Sequence, residues 1–373
     1  MRKWIATLLA LVLTLGLATT ALAEGSVKIG VIAMLTGDAP TDGLRMRQAI
    51  ELVVNEVNAA GGVNGTTIEL DIQDDQCTTD GAINAMNKCI ADGCVFVFGP
   101  HRSSTAKAVS DIAKNAGIPY MTGGSSPSLA TLENPYMFTC RASDSIMARV
   151  GGIVAVENLG GKKVGVLYCS DDFGVGAMDV ASAYFQEKGV DYAVEAHNPN
   201  DADMSGQLLN LVNAGCDVLL VWTHDADMVV ISRQINELGI ELPVVSSGAP
   251  AMSTVSDLME ASWIEGWNVI TDYCSTSEEP HVLEFKEKFR AVYDIDPEMF
   301  AASYYGAARA LVDALGRAKS MSSADIRDAL AETKGVQGIV GVLESDSNNA
   351  MIHQGFLVTM KDKVPQLVEV VEG

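Results

Sequence analysis

Short apolar runs alternate along the chain with longer segments in which apolar residues recur every three or four positions. Residues 28–33, 94–98 and 217–222 are runs of the first kind, and each is followed by a segment of helical period. Nearly continuous apolar strands that alternate with helices are typical of parallel sheets covered by helices on both faces. The same alternation predicts further strands at 67–72, 164–168 and 244–245 and helices at 81–91, 104–115, 174–188 and 226–238.

The number of these βαβ units exceeds what one sheet accommodates. The chain has 373 residues, and single cores stop growing at roughly 250–300 residues. We therefore predict an α/β fold of two doubly wound parallel-sheet lobes. The pattern changes from residue 279, with helices predicted at 301–318 and 324–332 before strands return at 355–360 and 366–371. This block predicts a return of the chain to the first lobe before it ends in the second.

The charge balance excludes some classes of partner. The chain carries 48 acidic and 25 basic side chains, and its pI is near 4.5. A surface of this sign repels nucleic acid and anionic membranes. The composition is otherwise that of a folded globular protein, so we expect no nucleic-acid partner.

Residues 1–23 have the three parts of a secretory signal peptide. Two basic residues follow Met1, residues 5–17 carry no charge, and small residues precede Glu24 at the −3 and −1 positions. The alternative is a transmembrane anchor, for which an apolar run of ~13 residues is short against the ~20 required. We predict cleavage before Glu24 and export to the periplasm.

Seven cysteines follow the predicted signal peptide, and an odd number leaves at least one unpaired in a monomer. Export permits disulfides. Cys89 with Cys94 and Cys140 with Cys274 are the candidate pairs. The chain has no CxxC motif, and its histidines do not cluster near the cysteines, so we predict neither a metal site nor a cofactor.

Two loops rich in glycine and serine follow predicted strands of the first lobe, at residues 99–105 and 123–127. In an open parallel sheet, ligands bind beyond the carboxyl ends of the strands, beside helix N-termini. Hydroxyl and backbone N–H groups at such an N-terminus form a site for an anion such as a carboxylate. The alternative is that the serines only cap their helices. The candidate residues are Ser103, Ser104, Gly124, Ser125 and Ser126.

Catalytic motifs are absent from the sequence. It contains no GxSxG elbow, no P-loop and no GxGxxG after the first strand. The acidic doublet Asp171-Asp172 fits a solvated loop end better than an acid–base pair. His224, next to Asp225, is a candidate general base, but no motif supplies a nucleophile. We predict no catalytic residue and rank His224 and Asp225 as ligand contacts, with a secreted α/β enzyme as the alternative.

The chain resembles the periplasmic binding proteins of branched-chain amino acid ABC transporters in KIGVIAMLTGDAPTDG, AIELVVNEVNAAGGVNGTTIELDIQDDQC and GPHRSSTAKAVSDIAKNAGIPYMT. The resemblance extends over nearly the whole mature chain and includes VQGIVG near the C-terminus. It implies two lobes joined by a hinge of three crossovers, near residues 140–141, 271–273 and 343–346. The N-terminal lobe would comprise residues 24–141 and 272–344, and the C-terminal lobe residues 142–271 and 345–373.

The resemblance also implies a cleft that closes over an amino acid, and a closed form that docks on a membrane permease. In the family, the first lobe holds the ligand carboxylate and ammonium, which implies roles for Ser103, Gly124 and Ser126. An aromatic residue of the second lobe falls at Phe173, and another ligand contact falls near His224.

Three positions depart from the family pattern. The loop SSGAPAMS around Ser247 lacks the carboxylate that pairs with the ligand ammonium in leucine-type members. Asp42 occupies the place of a tyrosine. Arg102 occupies the place of the cysteine that pairs with Cys77, so the family disulfide lacks its partner. Asp42 or Asp225 could hold the ammonium, and Arg102 could reach a second ligand anion; alternatively, the ligand has no α-amine.

We therefore expect a monomeric solute-binding protein of the periplasm. It would capture an amino acid, branched-chain or a related small carboxylate, and deliver it to the permease of an ABC importer. The alternatives are a binder of an amide, urea or an aromatic carboxylate, and a sensor that presents its ligand state to a membrane receptor.

Overall fold

Two separate sheets organise the chain, as the alternation of strands and helices predicts. The structure, a computed structural model, describes residues 25–372, so the predicted signal peptide lies outside the described residues. The first sheet has five parallel strands in the order β2-β1-β3-β4-β5. Its strands are β1 (Gly25–Ala33), β2 (Thr66–Asp74), β3 (Phe96–Phe98), β4 (Tyr120–Thr122) and β5 (Met137–Thr139), and its helices are α1 (Pro40–Ala59), α2 (Thr79–Ala91), α3 (Ser103–Ala116) and a 3-10 turn (Pro127–Leu132).

The second sheet begins after the chain leaves β5, and five of its strands are parallel. These strands are β6 (Lys163–Cys169), β7 (Asp191–His197), β8 (Val218–Trp222), β9 (Val244–Ser246) and β10 (Asn268–Thr271). The associated helices are α4 (Asp144–Ile153), which continues as a π-helix (Val154–Asn158), α5 (Asp172–Lys188), α6 (Ser205–Asn213), α7 (Asp225–Glu237), a 3-10 turn (Ala249–Ala251), α8 (Ser253–Ser256) and α9 (Ala261–Ile264).

The helix-rich block then returns to the first sheet, as the change of pattern at residue 279 predicts. It contains α10 (Pro280–Tyr293), α11 (Met299–Arg317), α12 (Ser323–Ala331) and a two-stranded sheet of β11 (Val336–Gln337) and β12 (Val342–Leu343). Helix α11 packs along α1, and fourteen of its residues are buried, among them Tyr304 and Leu311. The alanine-rich sequence of α11 allows this close packing of two long helices.

The last two strands complete the second sheet in the antiparallel sense. They are β13 (Gln354–Lys361), which pairs with β10, and β14 (Val364–Glu372), which pairs with β13. Asp362 and Lys363 join them, and both have positive φ values, 49° and 65°. A two-residue turn with both φ values positive matches the twist of an antiparallel hairpin. The sequence pattern predicts these strands but not their direction.

The chain passes between the two sheets three times. It leaves the first sheet after β5, returns after β10 and leaves again before β13. In the last passage the Met351 N–H still donates to the Thr139 carbonyl of β5, at 3.1 Å. The chain therefore stays beside the first sheet as far as Met351. The residue limits of the two lobes remain a prediction.

Strand β7 and helix α6 have no counterpart in the predicted elements. Strand β7 forms the outer edge of the second sheet, and only His197 of its seven residues is fully buried. A strand that is half exposed does not need a continuous apolar run, and DYAVEAH has none. The apolar-run criterion therefore finds the central strands of a sheet and misses the edge.

All seven cysteines are free thiols in the structure, so neither candidate pair forms a disulfide there. Cys89 and Cys94 are close, with their sulfurs within 4.8 Å of each other. Between residues 25 and 372, no helix is both long enough and apolar enough to cross a membrane.

Candidate functional site

A cavity of about 50 Å³ lies where the carboxyl ends of the two sheets meet. The loops after β3 and β4 line it from the first sheet, and the loops after β6, β8 and β9 line it from the second. Nine of the predicted site residues line this cavity: Asp42, Arg102, Ser103, Gly124, Ser125, Phe173, His224, Asp225 and Ser247. Ser104 lines a neighbouring cavity instead, and Ser126 lines neither of the two.

The wall formed by the first sheet consists of hydroxyl groups and backbone. Ser103 is buried within the first turn of α3, and its Oγ accepts a hydrogen bond from the Ser126 N–H at 3.1 Å. A Cβ on Gly124 would lie 3.1 Å from the Cα of Ser103, so the glycine allows the two loops to touch. Arg102 is the N-cap of α3 and makes no capping bond with its side chain. This helix N-terminus therefore faces the cavity without a side-chain cap.

Ser103 and Ser126 have different roles in the structure. Ser126 is the N-cap of the 3-10 turn, and its Oγ accepts from the Ser128 N–H at 3.4 Å. Capping, the alternative that the sequence left open, therefore describes Ser126 but not Ser103. The Ser125 hydroxyl donates to the Asp144 carboxyl at 2.8 Å, which leaves its backbone on the cavity wall.

Two carboxyl groups approach each other across the cavity. Asp42 belongs to the first turn of α1, and Asp225 is the first residue of α7. Burial raises the pKa of Asp42 well above its usual range, and the charge of Asp225 and hydrogen bonding with it raise the pKa further. A buried carboxyl pair of this kind readily holds one proton between its members.

His224 and Phe173 form the aromatic part of the second wall. Their rings stack with centroids 4.9 Å apart, and His224 Nε2 lies 2.7 Å from Asp171 Oδ2. Burial lowers the pKa of His224, and the charge of Arg102 lowers it further. Burial acts to raise the pKa of Asp171, but hydrogen bonds from His224 and the Gly174 N–H lower it to about 2. At neutral pH a neutral imidazole therefore donates to a carboxylate, and the partner of His224 is Asp171 rather than Asp225.

Arg141 ties two of the passages between the sheets together at the back of the cavity. Its Nε donates to Asp272 Oδ2 at 2.6 Å, and the two side chains are 15% and 1% exposed. Arg141 follows β5, and Asp272 follows β10. Arg141 also donates to the Gly123 carbonyl at 3.4 Å. The ion pair therefore couples the hinge to the glycine loop of the binding wall.

Contacts between the lobes at the cavity rim show a closed cleft. Lys107 of α3 pairs with Asp172 of α5 at 2.7 Å, and Asn200 donates to Asp38 at 2.8 Å. Gly176 of α5 faces Ser126, and a Cβ there would lie 2.6 Å from the serine Oγ. The second lobe can approach the first this closely only because residue 176 has no side chain.

Cys169 lies behind the cleft, beside two groups of side chains of the types that can bind a metal. Its sulfur groups with Asp171 and His224 on one side and with His197 and Asp227 on the other, within 4.8 Å. These groups already bind one another or the backbone; His197, for example, lies 2.9 Å from both Thr223 Oγ1 and the Asn198 carbonyl. Burial raises the pKa of the Cys169 thiol to about 12. The cluster is a satisfied hydrogen-bond network around a neutral thiol.

The profile of a family described as periplasmic binding proteins matches residues 26–365. The chain belongs to the periplasmic binding protein family. This family consists of solute-binding proteins rather than enzymes, and a closed cleft between two α/β lobes accords with it.

Relatives of the chain carry more specific names. It is 27% identical to the Leu/Ile/Val-binding protein homolog 3 of Brucella melitensis, over 88% of this chain and 89% of that protein. It is 24% identical to the Leu/Ile/Val-binding protein BraC3 of Rhizobium johnstonii, over 92% and 94%.

Two solved structures have the same fold. The leucine-binding protein LivK of Thermotoga maritima superposes with a TM-score of 0.86 at 23% identity and covers 93% of this chain and 99% of its own. The second is LivJ of Streptococcus pneumoniae, a branched-chain amino acid transporter substrate-binding protein solved in complex with isoleucine. It superposes with a TM-score of 0.84 at 25% identity, over 93% of this chain and 100% of its own.

Several residues on the wall of this binding-protein cleft escaped the sequence analysis. His101 lies in a loop that the sequence singled out for its serines; its ring packs 4.6 Å from that of Phe300, and burial lowers its pKa. Met299 and Phe300 begin α11 in the returning block, where no local pattern marks a site. Further lining residues that were not among the candidate contacts are Gly123, Arg141, Thr223, Gly248 and Ala249.

Replacement of Arg141 by methionine is expected to destabilise the binding protein by about 3–5 kcal/mol, because Asp272 would remain buried without a counter-ion. Urea denaturation measures the loss. The double variant Arg141→Met/Asp272→Asn should recover part of the stability, since it removes both charges.

Lys188→Met is the matched control. Lys188 pairs with Glu157 at 3.0 Å, but the side chains are 42% and 50% exposed. Exposed pairs contribute about 0–1 kcal/mol. An equal loss in the Arg141 and Lys188 variants would contradict the importance of the hinge pair.

Proposed function

We propose that this binding protein captures an amino acid in the closed cleft and delivers it to the permease of an ABC importer. The observation that carries the proposal is the cavity between the lobes, which is lined by the N-terminus of α3, the Ser103 hydroxyl and the carboxyl groups of Asp42 and Asp225. An amino acid carries one anionic and one cationic group, and such a cavity offers a counterpart to each. The names of the relatives support the same class of ligand.

The ligand carboxylate would bind at the N-terminus of α3. The Ser103 hydroxyl and the first-turn N–H groups are hydrogen-bond donors at the positive end of the helix dipole. Gly124 permits the close approach that brings the backbone of Ser125 to the same wall. Charge-assisted hydrogen bonds of this kind are roughly twice as strong as neutral ones.

The ligand ammonium would bind between Asp42 and Asp225. Because these residues come from opposite lobes, an ammonium between them replaces the proton of the carboxyl pair and joins the lobes. The SSGAPAMS loop of Ser247 carries no carboxylate for this task. Phe173, stacked on His224, would cover the bound ligand from the second lobe.

An enzymatic function has less support. Among residues 25–372, the only hydrogen-bond partner of the His224 ring is Asp171, and no hydroxyl group donates to the ring. The nearby thiol of Cys169 is buried, and its raised pKa keeps it from acting as a thiolate nucleophile. We therefore propose a binding protein without catalytic residues.

The proposal places the mature protein in the periplasm as a monomer, with residues 1–23 removed on export. It takes residues 24–141 and 272–344 as one lobe, and 142–271 and 345–373 as the other, with residues 349–351 of the last crossing still hydrogen-bonded to Thr139 of the first lobe. The alternative of a sensor would use the same cleft and the same closure.

A thermal-shift screen of ligand-stripped protein tests the proposed function. The panel contains amino acids, amides, urea, polyamines and aromatic or aliphatic carboxylates. A ligand at 100 times its Kd should stabilise the protein by about 2.7 kcal/mol. We expect amino acids to raise the Tm and to be recovered unchanged by mass spectrometry. If only ligands without an α-amine raise the Tm, the amino-acid assignment is wrong. A ligand recovered in chemically altered form would indicate an enzyme.

Ser103→Ala is expected to weaken amino-acid binding by about 1–3 kcal/mol, since it removes a charge-assisted hydrogen bond to the carboxylate. Isothermal titration calorimetry measures the Kd. Ser104→Ala is the control, because Ser104 lines the neighbouring cavity. If the two variants bind equally well, Ser103 does not contact the ligand.

Binding should depend on pH through Asp42. Its raised pKa means that acid protonates it in the free protein and removes the charge that would hold the ammonium. Affinity should therefore increase with pH until Asp42 is ionised and should then level off, with a proton released on binding. Calorimetry in buffers of different ionisation enthalpy measures that proton.

Asp42→Asn should abolish this pH dependence and weaken binding about 10- to 100-fold. Asp111→Asn is the control. It removes the same charge at an exposed position of α3 and should leave the pH profile intact. A wild-type affinity that is independent of pH would argue against ammonium binding by Asp42.

A further inference from the structure

Arg102 is a charged side chain of the cleft without an ion-pair partner. It lines both the ligand cavity and the neighbouring cavity of about 130 Å³. In the described part of the chain, no carboxylate oxygen lies within 4.0 Å of its guanidinium nitrogens. The other arginine of the cavity, Arg141, is by contrast bound to Asp272. Arg102 shares a hydrogen bond with the Cys77 side chain, and its other donors are open to a ligand.

The surroundings keep Arg102 charged. Burial acts to lower its pKa, but the neighbouring side chains of Cys77, Asp225, Asp42 and Asp171 have the larger combined effect and raise it. A guanidinium offers five N–H donors in a planar arrangement and accepts no hydrogen bond. Its natural partner in a cavity is an oxygen atom of a carbonyl or carboxyl group.

An aliphatic ligand side chain would fit this part of the cleft poorly. It would displace water from Arg102 and from the two acidic side chains beside it without replacing the lost hydrogen bonds. A buried charged group left without partners costs more than a neutral one. Sites that hydrogen-bond their substrate reject analogues that lack the polar group far more strongly than apolar pockets reject a changed methylene.

We propose that the ligand is an amino acid whose side chain ends in a carbonyl or carboxyl oxygen, and that Arg102 binds this oxygen. This inference rests on the proposed function, in which Ser103 and the Asp42–Asp225 pair hold the α-carboxylate and the ammonium. A carboxamide and a carboxylate share the required oxygen. The carboxamide also has an N–H group to donate to the acidic side chains.

Calorimetry on ligand-stripped, full-length mature protein tests the proposal with three sets of L-amino acids. The sets are Asn and Gln, Asp and Glu, and Leu, Ile and Val. We expect the first or second set to bind at least ~10-fold more tightly than the third, because a hydrogen bond to a charged group is involved. A preference for the first set identifies the carboxamide, and one for the second the carboxylate.

Arg102→Met should abolish this preference. It should weaken the binding of the polar ligands about 10- to 100-fold and leave the affinity for the aliphatic ones unchanged or increased. Arg233→Met is the control, since Arg233 is exposed on α7 and the substitution changes the net charge equally. Arg102→Lys keeps the charge without the planar fork and should show an intermediate preference. The comparison of ligands on wild-type protein stands even if a variant fails to fold.

Two results would overturn the proposal, and they can be told apart. Tighter binding of leucine, isoleucine or valine by the wild type would refute the role of Arg102 and leave the amino-acid function intact. Failure of all three sets would refute the role of Arg102, and if no amino acid of the thermal-shift panel raises the Tm either, the amino-acid function is refuted with it.

Discussion

The buried ion pair between Arg141 and Asp272 is the constraint on which the cleft depends. It joins two of the segments that pass between the sheets, so it lies where the lobes meet. Charges this deeply buried are stable only as a pair. Because Arg141 also bonds the Gly123 carbonyl, the same interaction holds the glycine loop against the binding wall. The hinge and the ligand site are therefore one structural unit.

The two walls of the cleft differ in the chemistry that they present. The wall around Ser103 and Gly124 consists of backbone and hydroxyl groups, as parallel strands followed by helix N-termini produce in many proteins. The charged part of the lining combines Asp42 and Arg102 of the first lobe with Asp225 of the second, and the charges of these side chains act on one another. In the proposed function, the backbone, the hydroxyl groups and the acidic pair would bind the groups common to all amino acids, and Arg102 would distinguish among their side chains.

The comparison with relatives follows the same division. The relatives share the fold although they differ from this chain at most aligned positions. The fold tolerates this divergence because the cores need only apolar residues of about the right size. The ligand depends on a few side chains at the cleft, so a shared fold leaves the choice of ligand open.

The sequence by itself determined the alternation of strands and helices, the division into two sheets, and the loops at 99–105 and 123–127 that reach the cavity. These features depend on hydrophobic period and on local backbone chemistry, which a single chain segment contains. The tertiary structure decided that Ser126 caps a turn while Ser103 faces the cavity, that His224 pairs with Asp171, and that Phe300 joins the site. It also decided the edge position of β7. Each of these depends on which distant segments pack together, and local periodicity carries no information about that.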